Sequence, residues 1–114
     1  MSQAYKAPTI SDEKLTPQLV RDELLNCFES ANREFVTVMK QPVTGEALKE
    51  QVKNFVQTVF NGCGVNFDHP TKQGILTAID QCKAKAERMM GPQGNAIIQH
   101  HYDEMMKLVS RLSE

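Results

Sequence analysis

Cys63, His69, His100 and His101 supply the side-chain types that bind zinc, a thiolate and three imidazoles. Their spacing does not pre-form half a site, because the chain has neither a Cys-x-x-Cys pair nor a His-x-x-x-His pair. A second set joins His100 and His101 to the thioethers of Met39, Met89 and Met90, a soft ligand set suited to Cu(I) and the basis for a metal or small-ligand sensor. The same methionines serve equally as gap fillers, or as a contact surface that repacks against a partner. Cys63 lies between Gly62 and Gly64, which leave its thiol accessible as a reactive cysteine requires, with His69 as the nearest base. No Lys or Arg lies within the eight residues before it to favour the thiolate, and a small residue in a tight link is the simpler account.

Other chemistries find less. Di-iron bundles use Glu-x-x-His pairs facing inward, and only the reversed order occurs here, His101 with Glu104. A phosphotransfer histidine is disfavoured because Asp103 and Glu104 follow His100 and His101 and would repel a phosphoryl group. No Ser-His-Asp order with a sharp nucleophile turn, glycine-rich phosphate loop or mid-bundle carboxylate pair stands out, so the sequence calls for no catalytic residues and no cofactor.

Charge points away from nucleic acid. With 13 Lys and Arg against 14 Asp and Glu the net charge is -1. The densest basic cluster, Lys83, Lys85 and Arg88, is diluted by Asp80 and Glu87, whereas phosphate binding needs clustered cations. Glu29 and Arg33, Lys83 and Glu87, and Asp103 and Lys107 stand four apart, the spacing of surface ion pairs on helices. No apolar run approaches the ~20 residues that span a bilayer, and Met1 to Leu15 lacks the apolar stretch of a secretory signal. The three cysteines cannot all pair within one chain, and Cys27 and Cys82 sit among apolar residues. A cytoplasmic protein in a reducing compartment is the expectation.

The elements that position these residues are helices. Residues 1–15, with Pro8 and no sustained apolar period, are expected to be a flexible tail ahead of a single domain at 16–114. Thr16-Pro17 reads as a helix start, followed by Val20, Leu24, Cys27, Phe28, Ala31, Phe35 and Val38 at steps of three or four, a helix over about 17–40. Pro42 ends it, Thr44 caps the next, and Leu48, Val52, Phe55, Val56 and Val59 mark a helix over about 45–61, with Gly62 as its left-handed cap. Phe67 is expected to tuck its loop onto the bundle end. Ile75, Ile79, Cys82, Ala86, Met89 and Met90 mark a third helix over about 70–90, within which Gly74 costs about 1 kcal/mol against alanine unless close packing uses the missing side chain. Asn95 caps a fourth, with Ile98, Tyr102, Met105, Val109 and Leu112 inward and His101 and Glu104 as flanks of that stripe.

Four helices on short links predict an all-α, antiparallel up-down-up-down four-helix bundle. That topology sends Cys63 and His69 to one end and the paired histidines to the other, ~30 Å apart at helical rise, which argues against a shared zinc site. The functional expectation is a small interaction or regulatory module without catalytic activity, binding a protein partner or itself as a homo-oligomer, with no nucleic-acid or membrane partner. Leu25, Val36, Phe60, Ile97 and Met106 lie beside or outside the main stripes and are the candidate contact positions. The alternatives are the sensor at the Met and His end and a thiol-based redox protein centred on Cys63.

Overall fold

Thr16 sets the first helix in the computed structural model: its Oγ1 accepts the Leu19 amide at 3.2 Å, and Pro17 occupies the first helical position, where no amide is needed. The structure describes residues 5–39 and 45–112, with backbone alone for 35–39 and 93. Helix α1 is Pro17–Met39, α2 Gly45–Gly62, α3 Lys72–Met90 and α4 Asn95–Val109, with a 3₁₀ turn at Pro92–Gly94. The expected stop at Pro42 and cap at Thr44 lie outside the described residues.

The turn after α2 is displaced from its expected place. Gly62 stays helical, and the left-handed residue is Gly64, at φ 73°. Its amide donates to Asn61 O at 3.1 Å and the Val65 amide to Phe60 O at 2.9 Å, the paired bonds of a Schellman cap. Cys63 therefore sits at the C-terminal end of α2. Val65 is turned onto α3, where a methyl group on Gly74 would lie 2.8 Å from Val65 Cγ1. Close packing does use the side chain that Gly74 lacks. Thr71 caps α3 by accepting the Gly74 amide at 3.0 Å, two residues later than the sequence suggested.

Each of α1 and α3 packs against both α2 and α4, and the two also touch across the core. Phe28 meets Phe55 at 5.6 Å between centroids, while Arg21 lies over Phe67, which is edge-on to Phe60. Rising residue numbers on α1 thus meet falling numbers on α2, so the two run antiparallel. The same holds for α1 and α4, where Ser30 meets His101 and Glu23 shares Tyr5 with Met105. With α1 antiparallel to both α2 and α4, the closed ring of neighbours is that of a compact four-helix bundle and agrees with an up-down-up-down order.

Val20, Leu24, Cys27, Leu48, Val52, Val56, Ile75, Ile79, Cys82, Ile98, Met105 and Val109 fill the core as their period predicts. Several positions depart from it, three of them sharply. Phe60 is fully buried instead of lying outside the stripe, Met89 is 74% exposed instead of inward, and His101 replaces Tyr102 on the buried face of α4. Of the other candidate contact positions, Leu25 and Met106 are half-buried against the core and Ile97 is half-buried; the Val36 side chain lies outside the described residues. The ion pairs Glu29–Arg33 and Lys83–Glu87 form, whereas Lys107 takes Glu104, and Asp103 accepts from Gln99.

Residues 5–15, read as a tail, lie along α1 and α4. Leu15 is buried, and Tyr5, Ala7 and Ile10 pack against the core at intervals matching no helical or strand period. Exposed residues 11–14 form a turn, with Lys14 and Leu15 amides donating to Ser11 O, which leads into Thr16.

Candidate functional site

The seam between α1 and α4 gathers a set of polar side chains. His101, 3% exposed, is at its centre. Its Nδ1 is 2.8 Å from Ile97 O, and a carbonyl only accepts, so the proton sits on Nδ1. Nε2 is then an acceptor for the Ser30 hydroxyl at 3.1 Å. Glu34 Oε2 lies 3.7 Å from Nδ1. Burial holds His101 below the usual imidazole range, against the raising effects of the Ile97 carbonyl and Glu34, so the ring is neutral at pH 7.

Tyr5 covers this ring from the N-terminal segment. The two rings stack at 5.0 Å and 15°. The Tyr5 hydroxyl donates to Glu23 and lies 3.7 Å from Met105 Sδ; burial, then the bond to Glu23, pushes its phenol well above the usual range. Beside it the buried Cys27 thiol donates to His101 O at 3.6 Å and is likewise pushed up by burial. His100 donates from Nε2 to Tyr5 O at 2.7 Å, and its ring is edge-on to His101. The Ala7 amide donates to Glu104 Oε1 at 3.1 Å, and Arg111 reaches both Ile10 O and Asp12 Oδ1. The Lys107 ammonium, then the Ala7 amide, holds Glu104 below the usual carboxylate range. Side chains of α1, of α4 and of the turn that follows it thus grip the N-terminal segment by one ring and by backbone atoms of Tyr5, Ala7 and Ile10.

Ser30, His101 and Glu34 resemble a nucleophile, base and carboxylate, a grouping that sequence order gave no reason to assemble across the 71 positions between Ser30 and His101. The serine–imidazole contact has the right distance. The carboxylate is beyond hydrogen-bond reach, and Ile97 O takes the Nδ1 proton in its place. Ser30 lies mid-helix, where backbone amides near it are spent on the helix and do not form a hole for an oxyanion. The arrangement therefore supplies an oriented neutral base and a hydroxyl, with no group among the described residues placed to stabilise developing charge.

Below the seam, Leu24, Cys27, Ile79, Met90, His101 and Met105 line a cavity of about 30 Å³. It is the size of a water molecule or two, far short of the ~300 Å³ of small-molecule sites. Met90 and His101 therefore do come close, but both ring nitrogens of His101 are engaged. Met89 points to solvent at the lip of a recess with Phe28 and Phe55, and the Met39 side chain lies outside the described residues. Among the described residues no group of three His, Cys, Asp or Glu side chains is placed to hold a metal.

Cys63 is half-buried against the core, at the helix end where the backbone dipole does not favour a thiolate. His69 is exposed, its amide donating to Asn66 Oδ1 at 3.1 Å, and no contact among the described residues joins it to Cys63. Burial pushes the Cys82 thiol up to about 12. All three thiols are free, and no helix among the described residues is long and apolar enough to cross a membrane. Comparison of the chain with family models, with curated proteins and with solved structures gives no match.

Proposed function

We propose that this chain is a small helical interaction module without catalytic activity, which binds an extended segment of a protein along the α1/α4 seam. One observation carries this reading: the seam already holds a polypeptide, residues 5–12, through hydrogen bonds that its backbone accepts from His100 and Arg111 and donates to Glu104, and through a tyrosine pocket made by His101, Glu23 and Met105. Backbone contacts supply affinity and the aromatic pocket supplies selectivity, the division of labour seen where folded domains take up extended peptides. A cytoplasmic setting, in which three free thiols persist, goes with this reading.

The test uses the full chain carrying Tyr5→Ala and a fluorescent synthetic peptide of residues 1–15. The variant is expected to bind the peptide at least about tenfold more tightly than wild type, whose own segment competes at an effective concentration on the order of millimolar. Adding Glu104→Ala to the variant is expected to weaken binding again. Absence of saturable binding to the Tyr5→Ala chain overturns the reading.

A further inference from the structure

We infer that the occupant of the α1/α4 seam in trans is the 5–10 segment of a second copy of this chain, so that two molecules associate by exchanging N-terminal arms. The inference rests on the reading of the seam as a peptide groove and names its partner. Three features of the fold carry it.

The arm is seated almost wholly by contacts remote in sequence, from Tyr5 with Glu23 to Ile10 with Arg111. Each of these is reproduced unchanged when the arm comes from an identical chain, so exchange breaks and remakes the same bonds. The anchors at Tyr5 O, Ala7 N and Ile10 O address the backbone, and they fix the register of the arm without reference to which molecule supplies it. Finally, the arm joins α1 through one exposed turn, residues 11–14, held by backbone bonds from Lys14 and Leu15 to Ser11 O and by the Arg111 contact to Asp12. Straightening that turn redirects the arm while α1, capped independently by Thr16, stays intact.

A tethered arm competes with its trans counterpart at an effective concentration on the order of millimolar. Exchange in the wild-type chain is therefore expected near that concentration, and a variant that disfavours the turn brings it lower. Lys14→Pro removes the amide that donates to Ser11 O and drives Glu13 from the turn toward extended geometry, outside any helix. Light scattering across dilution is expected to show Lys14→Pro dimerising at a concentration at least about tenfold below wild type, and Tyr5→Ala in the same chain reversing this. In a mixture of ¹³C-labelled and unlabelled chains, an isotope-filtered Overhauser contact between the Tyr5 and His101 rings then arises between molecules.

A monomer for both wild type and Lys14→Pro up to about millimolar concentration overturns the inference. So does a dimer whose Tyr5 to His101 contact stays within one molecule. Either result leaves the peptide-groove reading standing if the synthetic arm still binds the Tyr5→Ala chain, so the two failures are distinguishable.

Discussion

Replacing Tyr5 by Phe removes one hydroxyl from the seam and leaves the ring stacked on His101. The lost contact is a hydrogen bond to a carboxylate, for which about 1.5–3 kcal/mol is typical. The half-buried position of Tyr5 and the second bond that Glu23 accepts, from Asn26 at 3.2 Å, place this one at the low end, about 1.5 kcal/mol. Tyr5→Ala also forfeits the ring stack, about 1 kcal/mol, and about 1 kcal/mol for half-burial of the ring. The total is about 3.5 kcal/mol. If the arm opens as a unit of its own, these energies appear at the Ala7 amide, whose acceptor Glu104 lies across the seam. Its hydrogen exchange is expected to accelerate about tenfold in Tyr5→Phe and more than a hundredfold in Tyr5→Ala, since 1.4 kcal/mol is a factor of ten. Amides deep in the core, such as those of Ile79 and Val109, are expected to keep their wild-type rates. Ala7 exchange within twofold of wild type in both variants refutes the energetic argument. Core amides accelerating as much as Ala7 refute the independence of the arm.

Four further outcomes follow from the structure. Burial depresses the His101 imidazole, so its contribution to stability is complete above about pH 6.5 and is lost as pH falls through the lowered value; denaturant titrations from pH 8 to pH 5 are expected to show it, and His101→Gln to flatten the fall. Tyr5, pushed the other way, docks fully below about pH 10 and is lost as pH rises beyond, readable in the Ala7 amide signal. Gly74→Ala, favoured by helix propensity by about 1 kcal/mol, is expected to destabilise by about 1 kcal/mol net because the new methyl meets Val65 Cγ1 at 2.8 Å; Val65→Ala in the same chain is expected to recover most of the loss, and a more stable single variant contradicts the packing argument. Alkylation at neutral pH is expected to modify half-buried Cys63 well before buried Cys27 and Cys82, with mass spectrometry of the peptides as the measure; equal rates for all three contradict the burial order.

The helices were legible because Val20 to Ala31, Leu48 to Val59 and Ile75 to Ala86 repeat at the helical period, a local signal that burial then follows. The seam was not, for two physical reasons. His101 and Tyr102 are neighbours of which tyrosine is the more apolar, so periodicity turned Tyr102 inward. What makes His101 the better buried residue is its pairing with Ser30 and Ile97 O and its stack under Tyr5, and two of those three partners are far away in the chain. The arm was missed because an extended segment lying across helices has no period of its own: Tyr5, Ala7, Ile10 and Leu15 are spaced by the sites that receive them. Phe60 and Met89 exchanged expected roles through local geometry, since the Schellman cap draws Phe60 under Phe67 while the end of α3 leaves Met89 on the outer side.

The Ser30–His101 bond has a consequence for how the bundle is indexed. Along a seam built only of Val, Leu and Ile, one turn of helix resembles the next, and sliding α4 by ~5.4 Å against α1 exchanges one set of apolar contacts for another of similar quality. One turn away on α1, Glu34 offers Nε2 only a carboxylate acceptor and the Cys27 thiol is a weaker donor already spent on His101 O, so neither replaces the Ser30 hydroxyl. A slipped alignment therefore strands a buried imidazole, at a cost of about 1–3 kcal/mol, whereas the true one satisfies it. The polar seam acts as a key that lets α1 and α4 mesh at a single tooth, a service to uniqueness of the fold that is separate from its strength.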